Sequence, residues 1–246
     1  MARPETTGAT RPARIGMIVP SSNTCLEPMT YRMLGDREDV TVHSARIPVT
    51  RIALDGDSDR QFDTTTMLGA AELLSTADVD VIAWNGTSGS WLGPEHDHEV
   101  TDAITQHTGI PATTSTLAYL DAFERFRITT VGLLTPYTPD VNSAVAERYS
   151  TLGLRVTSDI HLDLSDNESF ARVPPDDLLH GAATLAAEHP DAVVVLCTNV
   201  FGAPIAERLE ADTGVPLLDS VAVTLWKCLD LAGVRGLDQR WGKLLS

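Results

Sequence analysis

The chain has 246 residues, of which 43% are hydrophobic, and its 18 Lys and Arg against 34 Asp and Glu give a net charge of −16. This length and apolar content suffice for the core of one large domain or two small ones, so a mostly disordered chain is excluded. Because phosphate binding depends on clustered cations, the acidic balance argues against nucleic acid or an anionic membrane as a partner. It stays compatible with a small anionic substrate, since backbone N–H groups and hydroxyls can bind carboxylates.

The chain begins with a polar segment, residues 1–14, which we expect to form a flexible tail without the hydrophobic core of a signal peptide. No apolar run approaches the roughly 20 residues of a transmembrane helix, so we expect a cytoplasmic protein. Beyond the tail, short apolar runs alternate with helical patterns. The predicted strands are 15–20, 40–48, 79–85, 110–114, 128–136, 154–162, 192–198 and 215–219. The predicted helices are 27–34, 64–76, 100–108, 115–126, 140–151, 176–188, 204–211 and 221–232.

This alternation predicts an α/β fold, and continuously apolar strands such as 192–196 are typical of a parallel sheet covered on both faces. The pattern also repeats, and three motifs of the first part have counterparts in the second. They contain Gly16, Gly86 and Gly109 in the first part and Gly132, Cys197 and Gly214 in the second. We therefore predict two pseudo-symmetric four-stranded halves, duplicated and flavodoxin-like, over residues 15–120 and 121–246, with the active site between them.

Four loops follow predicted strands at equivalent places, where ligands of parallel sheets gather. They are 20–24, 86–88, 136–138 and 197–199. If the halves face each other, these loops surround one cleft, and Gly86 lies opposite Cys197. Their hydroxyls, amides and backbone N–H groups can bind a carboxylate or an oxyanion without a formal positive charge, although ordinary helix capping uses the same residue types.

The three cysteines are odd in number and widely spaced, which predicts neither a disulfide framework nor a CxxC metal site. Cys197 ends an apolar strand just ahead of a helix, where the helix dipole and free N–H groups favour the thiolate used in acid–base or nucleophilic chemistry. The alternative for Cys197 is a small buried hydrophobic residue. Cys25 is better explained by a helix start with its thiol on the inner face, and Cys228 by packing within a helix.

Other polar residues allow two interpretations each. Tyr137 closes a strand and can donate to an enediolate oxygen, or its ring is exposed in a turn. Ser88 lacks the GxSxG elbow of serine hydrolases, and Asn167 by itself is a turn residue. The Glu-His-Asp-His run at 95–98 is more typical of a solvated polar loop than of a metal site. GxGxxG and GxxxxGK[ST] are both absent, which disfavours dinucleotide enzymes and P-loop NTPases.

Five motifs, in order along the chain, resemble the maleate isomerase and arylmalonate decarboxylase branch of the aspartate/glutamate racemase superfamily. They lie at 19–24, 86–90, 134–137, 166–167 and 197–199. The resemblance implies an enzyme that needs no cofactor, with the site between two pseudo-symmetric α/β halves. It also implies a homo-oligomer, which we expect to be a homodimer or a homotetramer.

Racemases and maleate isomerases of this group have a cysteine on each side of the cleft, whereas here Gly86 stands at the first position and Cys197 at the second. One missing thiol removes a partner of two-base racemisation and the nucleophile of isomerisation, unless Cys25 replaces it. The single cysteine resembles arylmalonate decarboxylase, in which loss of CO₂ leaves an enediolate that one cysteine protonates. The features that instead resemble maleate isomerase are Asn23, Tyr137, Asn167 and the Cys-Thr-Asn segment 197–199.

The resemblance makes a decarboxylase of a small carboxylate the main hypothesis, with Cys197 as the proton donor. Thr87, Ser88 and Tyr137 would hold the enediolate. The substrate-binding residues would be Asn23, Gly86, Asn167, Thr198 and Asn199, with Asn23 and Asn167 orienting the remaining carboxylate. A maleate cis–trans isomerase or an Asp/Glu-type racemase is the alternative among enzymes, and a non-catalytic carboxylate-binding protein is the alternative of another class.

Two further features stay open at this point. Trp84 or Trp91 would form an apolar wall of the site or belong to the core. The polar segment 51–63 is either a lid over the site or an acidic surface insertion.

Overall fold

The computed structural model describes residues 11–52, 54 and 64–246. Within these ranges the chain forms eight strands, each at a place where the sequence predicts one. They are β1 (Ala13–Pro20), β2 (Val40–Ile47), β3 (Val81–Trp84), β4 (Ala112–Thr114), β5 (Thr130–Thr135), β6 (Arg155–His161), β7 (Ala192–Val195) and β8 (Leu217–Asp219). The strands β3 and β7 are buried along their whole length, as their continuous apolar sequences require.

Helices connect the strands and cover the sheets. They are α1 (Leu26–Leu34), α2 (Thr64–Ser75), α3 (Gly89–Leu92), α4 (Pro94–Thr108), α5 (Ser115–Phe126), α6 (Pro139–Thr151), α7 (Asn167–Phe170), α8 (Pro175–Ala186), α9 (Ala206–Thr213) and α10 (Ser220–Leu231). Two short 3-10 helices, Ala203–Ile205 and Gln239–Trp241, complete the described elements. No helix within the described residues has the length and hydropathy to cross a bilayer.

The strands form two parallel sheets with the same internal order. The first is β2-β1-β3-β4 and the second is β6-β5-β7-β8. Every strand pair in both sheets is parallel. The prediction of two pseudo-symmetric four-stranded α/β halves is therefore confirmed.

The two halves interlock through their last helices. In each half, the residue that ends the last strand accepts backbone N–H groups at the start of the next helix, Thr114 for α5 and Asp219 for α10. The helices α5 and α10 pack against each other. From α5, the Tyr119 hydroxyl donates to the Val195 and Leu218 carbonyls in the second sheet, at 2.8 and 3.1 Å. Residue 120, the predicted boundary between the halves, lies inside α5.

The structure differs from the sequence-based element assignment at several places. Strand β1 begins at Ala13, so residues 13 and 14 belong to the sheet and not to the polar tail, whose first ten residues lie outside the described ones. The run 95–98, predicted as a polar loop, lies in the first turn of α4, because Pro94 starts this helix earlier than its apolar pattern indicated. The short helices α3 and α7 were not predicted, since one turn is too short to produce a periodic pattern.

Candidate active site

A small cavity lies where the central strands of both sheets end. Its walls come from Pro20 at the end of β1, Trp84 at the end of β3, and the loops after β5 and β7. The cavity has a volume of about 20 Å³, which leaves room for roughly one water. The lining residues are Pro20, Val49, Ile52, Trp84, Gly86, Thr87, Ser88, Trp91, Tyr137, Asn167, Cys197 and Thr198.

Seven of the nine predicted site residues line this cavity, and Gly86 and Cys197 lie on it together. None of the described lining residues is Lys, Arg, His, Asp or Glu. The Ser88 hydroxyl is buried and has no hydrogen-bond partner among the described residues. Burying a hydroxyl without a hydrogen-bond partner costs free energy, and donation to an oxygen atom of a ligand would recover that cost.

Cys197 lies two residues beyond the end of β7 and is 4% exposed. Its backbone N–H donates to the Ser220 hydroxyl at 2.9 Å, and the backbone N–H of Asn199 donates to Sγ at 3.3 Å. Burial raises the pKa of the thiol to about 12, although the Asn199 N–H and the Tyr137 hydroxyl lower it. The expectation of a favoured thiolate is therefore wrong, because desolvation outweighs the local N–H groups, and the resting group is the neutral thiol.

Tyr137 is buried beside Cys197, which excludes the exposed turn that the sequence left open. Its hydroxyl and Thr87 Oγ1 share a hydrogen bond of 2.7 Å. The ring stands edge-on to Trp91 and Phe170, with centroid distances of 5.5 and 5.7 Å. These contacts fix the phenol at the cavity wall, where burial raises its pKa well above the usual value and keeps it a neutral donor.

Asn23 and Asn199 do not line the cavity but join the loops around it. Asn23 Nδ2 donates to the Thr198 carbonyl at 3.1 Å and lies 3.2 Å from Thr198 Oγ1, while its Oδ1 accepts the N–H groups of Cys25 and Leu26 at the start of α1. Asn199 Oδ1 accepts from the backbone of residues 24 and 25, at 2.9 and 3.1 Å. Both amides thus bind one half of the protein to the other in this structure.

Asn167 lines the cavity from the second half. Its Nδ2 donates to the Ser22 hydroxyl at 2.7 Å, and its carbonyl accepts from Asn199 Nδ2 at 2.6 Å. It begins α7 and is 5% exposed, which corrects its interpretation as a simple turn residue. Its backbone N–H donates to the Thr50 carbonyl, and Ile52 next to that segment also lines the cavity. Residues 53 and 55–63, most of the predicted lid or insertion, lie outside the described residues.

The aromatic residues Trp84 and Trp91 are both buried and both line the cavity, so each serves the core and the wall at once. Cys25 is fully buried, is absent from the cavity wall, and has its pKa raised by burial and by the nearby Asp219 and Cys197. Cys228 is packed inside α10. For both cysteines the packing interpretation accounts for what is observed.

The buried carboxyl of Asp97 belongs to the run that we assigned to a solvated loop. It lies inside α4, and burial raises its pKa to about 7. Among the described residues, no group of three or more His, Cys, Asp or Glu side chains is placed to hold a metal ion.

One part of the wall was not among the site loops predicted from the sequence. Val49 and Ile52 follow β2, and their loop was left out of the four predicted site loops. The signal was available, because the predicted strand 40–48 ends there and its carboxyl end lies at the same edge of the sheet as that of β1.

Proteins of known activity share this sequence pattern and fold. The chain is 29% identical over 252 residues to the maleate isomerase of Geobacillus stearothermophilus, covering 95% of this chain and 97% of the relative. It is 29% identical over 166 residues to the arylmalonate decarboxylase of Bordetella bronchiseptica, covering 66% of this chain and 69% of the relative. The crystal structure of the maleate isomerase Iso from Pseudomonas putida S16 superposes with a TM-score of 0.84 at 24% identity, covering 95% and 98% of the two chains.

These similarities confirm the expectation of an enzyme from the group that contains isomerases and decarboxylases. The model of the family described as arylmalonate decarboxylase matches residues 15–245, which is nearly the whole chain. The protein therefore belongs to the arylmalonate decarboxylase family.

Proposed function

We propose that the protein decarboxylates a small malonate-type dicarboxylate and that Cys197 delivers the proton to the resulting enediolate. The observation that carries the proposal is that Cys197 is the one thiol among the described residues of the cavity wall and that burial keeps it protonated. Because burial raises the pKa of this side chain further above neutral pH, the thiol and not the thiolate is its resting form. A neutral thiol suits a proton donor and makes a poor nucleophile.

The proposed reaction needs no co-reactant besides the Cys197 proton and a proton from solvent. Cleavage of the bond between the central carbon and one carboxylate releases CO₂ and leaves the electron pair in an enediolate. The Cys197 thiol gives its proton to the central carbon, which yields the monocarboxylate and a thiolate. Because the pKa of this thiol is about 12, the thiolate takes a proton back from solvent at neutral pH and the cycle closes.

Neutral donors stabilise the enediolate in this proposal. The buried Ser88 hydroxyl is free to donate, and the Tyr137 hydroxyl is held by Thr87 at the same wall. Preorganised donors in a buried cavity stabilise the negative charge that develops on the enediolate. A cationic side chain would stabilise that charge too, but it would also bind the substrate dianion tightly and so raise the barrier. Asn167 is the amide on the wall that can orient the carboxylate that remains. A substrate of this kind exceeds the present cavity, so its walls must separate on binding.

A maleate-type isomerase is the second candidate, and the similarity to maleate isomerases over 95% of the chain favours it. Its usual chemistry needs a thiolate that adds to the double bond. Burial raises the pKa of Cys197 away from the thiolate, and Cys25 lies off the cavity wall with its pKa also raised by burial. These two facts favour protonation over addition.

To test this proposal, the protein is incubated in D₂O with 2-methyl-2-phenylmalonate and, separately, with maleate. The products of both reactions are followed by NMR. We expect 2-phenylpropionate with one deuterium at the central carbon. Cys197→Ser should lower the rate by about 100-fold or more, whereas the matched buried control Cys228→Ser should retain it. Conversion of maleate to fumarate without decarboxylation would favour the isomerase. Saturable binding of either acid without turnover would favour a carboxylate-binding protein.

A further inference from the structure

The indole of Trp84 occupies the space next to Gly86 that any side chain at position 86 would need. A β-carbon built on Gly86 would lie 2.4 Å from both Cε2 and Cζ2 of Trp84 and 2.6 Å from its Nε1. Carbon atoms in proteins do not approach this closely, so the ring would have to move. Trp84 is 1% exposed, ends the buried strand β3 and lines a cavity with room for roughly one water, so a ring displaced by a side chain at position 86 would have to enter that small space or disturb its packing.

The backbone does not account for the glycine. The φ angle of Gly86 is not positive, so this part of its backbone conformation does not require a glycine. It also differs from Gly69, which sits in α2 and where an added β-carbon would have nothing within 4 Å. The three atoms that an added β-carbon at position 86 would meet first all belong to the Trp84 ring, so the ring is the first obstacle to a side chain there.

We propose that Trp84 is the specificity-determining residue that limits this cavity to a single thiol. Trp84, Gly86 and Cys197 line the same cavity, and the indole fills the room that a second acid–base side chain at 86 would take. An indole neither accepts nor supplies a proton at neutral pH. An enediolate in the cavity then receives its proton from Cys197 alone, and the product has one handedness. This catalytic consequence rests on the proposed function, whereas the steric claim does not.

The steric claim is tested by thermal unfolding of Gly86→Ala, Trp84→Leu and the double variant. Leucine ends near the position of the indole Cδ atoms and lacks the Nε1, Cε2 and Cζ2 edge that blocks position 86. We expect Gly86→Ala to lower Tm by about 4 to 10 °C beside Trp84, and by less than about 2 °C in the Trp84→Leu background. The control Gly69→Ala should not lower Tm. Equal effects of Gly86→Ala in both backgrounds would overturn the proposal.

The catalytic consequence is tested with a second thiol. The probes are the two enantiomers of 2-phenylpropionate in D₂O, followed by NMR for exchange of the α-hydrogen and by chiral chromatography for racemisation. A two-thiol site removes the proton with one thiolate and returns a deuteron from the other thiol on the opposite face. We expect Gly86→Cys/Trp84→Leu to racemise both enantiomers at least about tenfold faster than Gly86→Cys, in which the ring holds the new side chain out of position.

Equal racemisation by Gly86→Cys with and without Trp84 would overturn the role of the ring. If the protein and all variants leave both phenylpropionates and the malonate unchanged, the proposed function fails. In that case the thermal unfolding of Gly86→Ala, Trp84→Leu and the double variant still decides whether Trp84 excludes a side chain at position 86, because this measurement needs no turnover.

Discussion

Asp219 is a buried carboxyl whose ionisation we expect to weaken the fold as pH rises. It ends β8, is fully buried, and its Oδ1 accepts the backbone N–H groups of Val221 and Ala222 at 2.9 and 3.0 Å. Burial raises its pKa from 3.8 to about 7, against the opposing effect of these N–H groups and those of residues 202 and 203. Desolvation is thus the larger effect.

The sign follows from proton binding in the two states. Between about pH 4 and about pH 7 the native Asp219 keeps its proton, whereas the unfolded one has lost it, so stability falls as pH rises. The loss is about 1.4 kcal/mol for each pH unit, which amounts to about 4 kcal/mol over the interval and stays constant above the native pKa. Asn at this position carries no charge and keeps the oxygen that caps α10, so it escapes the loss.

The assay is urea unfolding of the native protein and of Asp219→Asn at several pH values from about 4 to about 8. We expect the difference between the free energies of unfolding, Asp219→Asn minus native protein, to increase by about 4 kcal/mol as pH rises across this range. The exposed Asp102, on α4, supplies the control Asp102→Asn. A constant difference between Asp219→Asn and the native protein, or one that shrinks with rising pH, would refute the reasoning.

Three further variants test other contacts. Tyr137→Phe removes the hydroxyl held by Thr87, and we expect decarboxylation kcat to fall about 100-fold with little change in KM, measured by steady-state kinetics. Asn199→Ala removes the two hydrogen bonds from Thr24 and Cys25 that join the halves and the one to the Asn167 carbonyl within the second half, and should lower the free energy of unfolding by about 2 to 4 kcal/mol in urea. Gly89→Ala would place its β-carbon 1.6 Å from the Asp97 carboxyl, so we expect a loss of Tm that Asp97→Ala partly restores; an unchanged Tm for Gly89→Ala would contradict this contact.

The fold could be predicted because each strand is a local apolar run and the runs recur in the same order. The ends of the strands were less predictable. The runs at 79–85 and 192–198 continue past Trp84 and Val195, where the ladders stop and the site loops begin. The oligomeric state and the cytoplasmic location stay predictions.

The site was predictable in its position but less so in its chemistry. The rule that ligands gather at the carboxyl ends of parallel strands brought Gly86, Tyr137 and Cys197 to one place. The proton-donor role predicted for Cys197 agrees with a neutral thiol. The thiolate that its position was expected to favour does not, because its sequence neighbours reveal the N–H groups near Sγ but not the extent of burial. The roles of Asn23 and Asn199 depend on partners about 175 residues away, which no local pattern contains.

The contrast between an acidic protein and an uncharged cavity follows from how the polar side chains around the site are used. The amides of Asn23 and Asn199 are engaged between the halves, so they hold the loops but do not face the cavity. The polar side chains left on the described wall are hydroxyls, one amide and a thiol, and they are buried. The same burial that keeps Cys197 protonated makes a neutral hydroxyl such as that of Ser88 a stronger partner for an oxyanion than it would be at the surface. A net charge of −16 is therefore compatible with anion chemistry, because the described residues of the cavity wall include no charged side chain and offer dipoles instead.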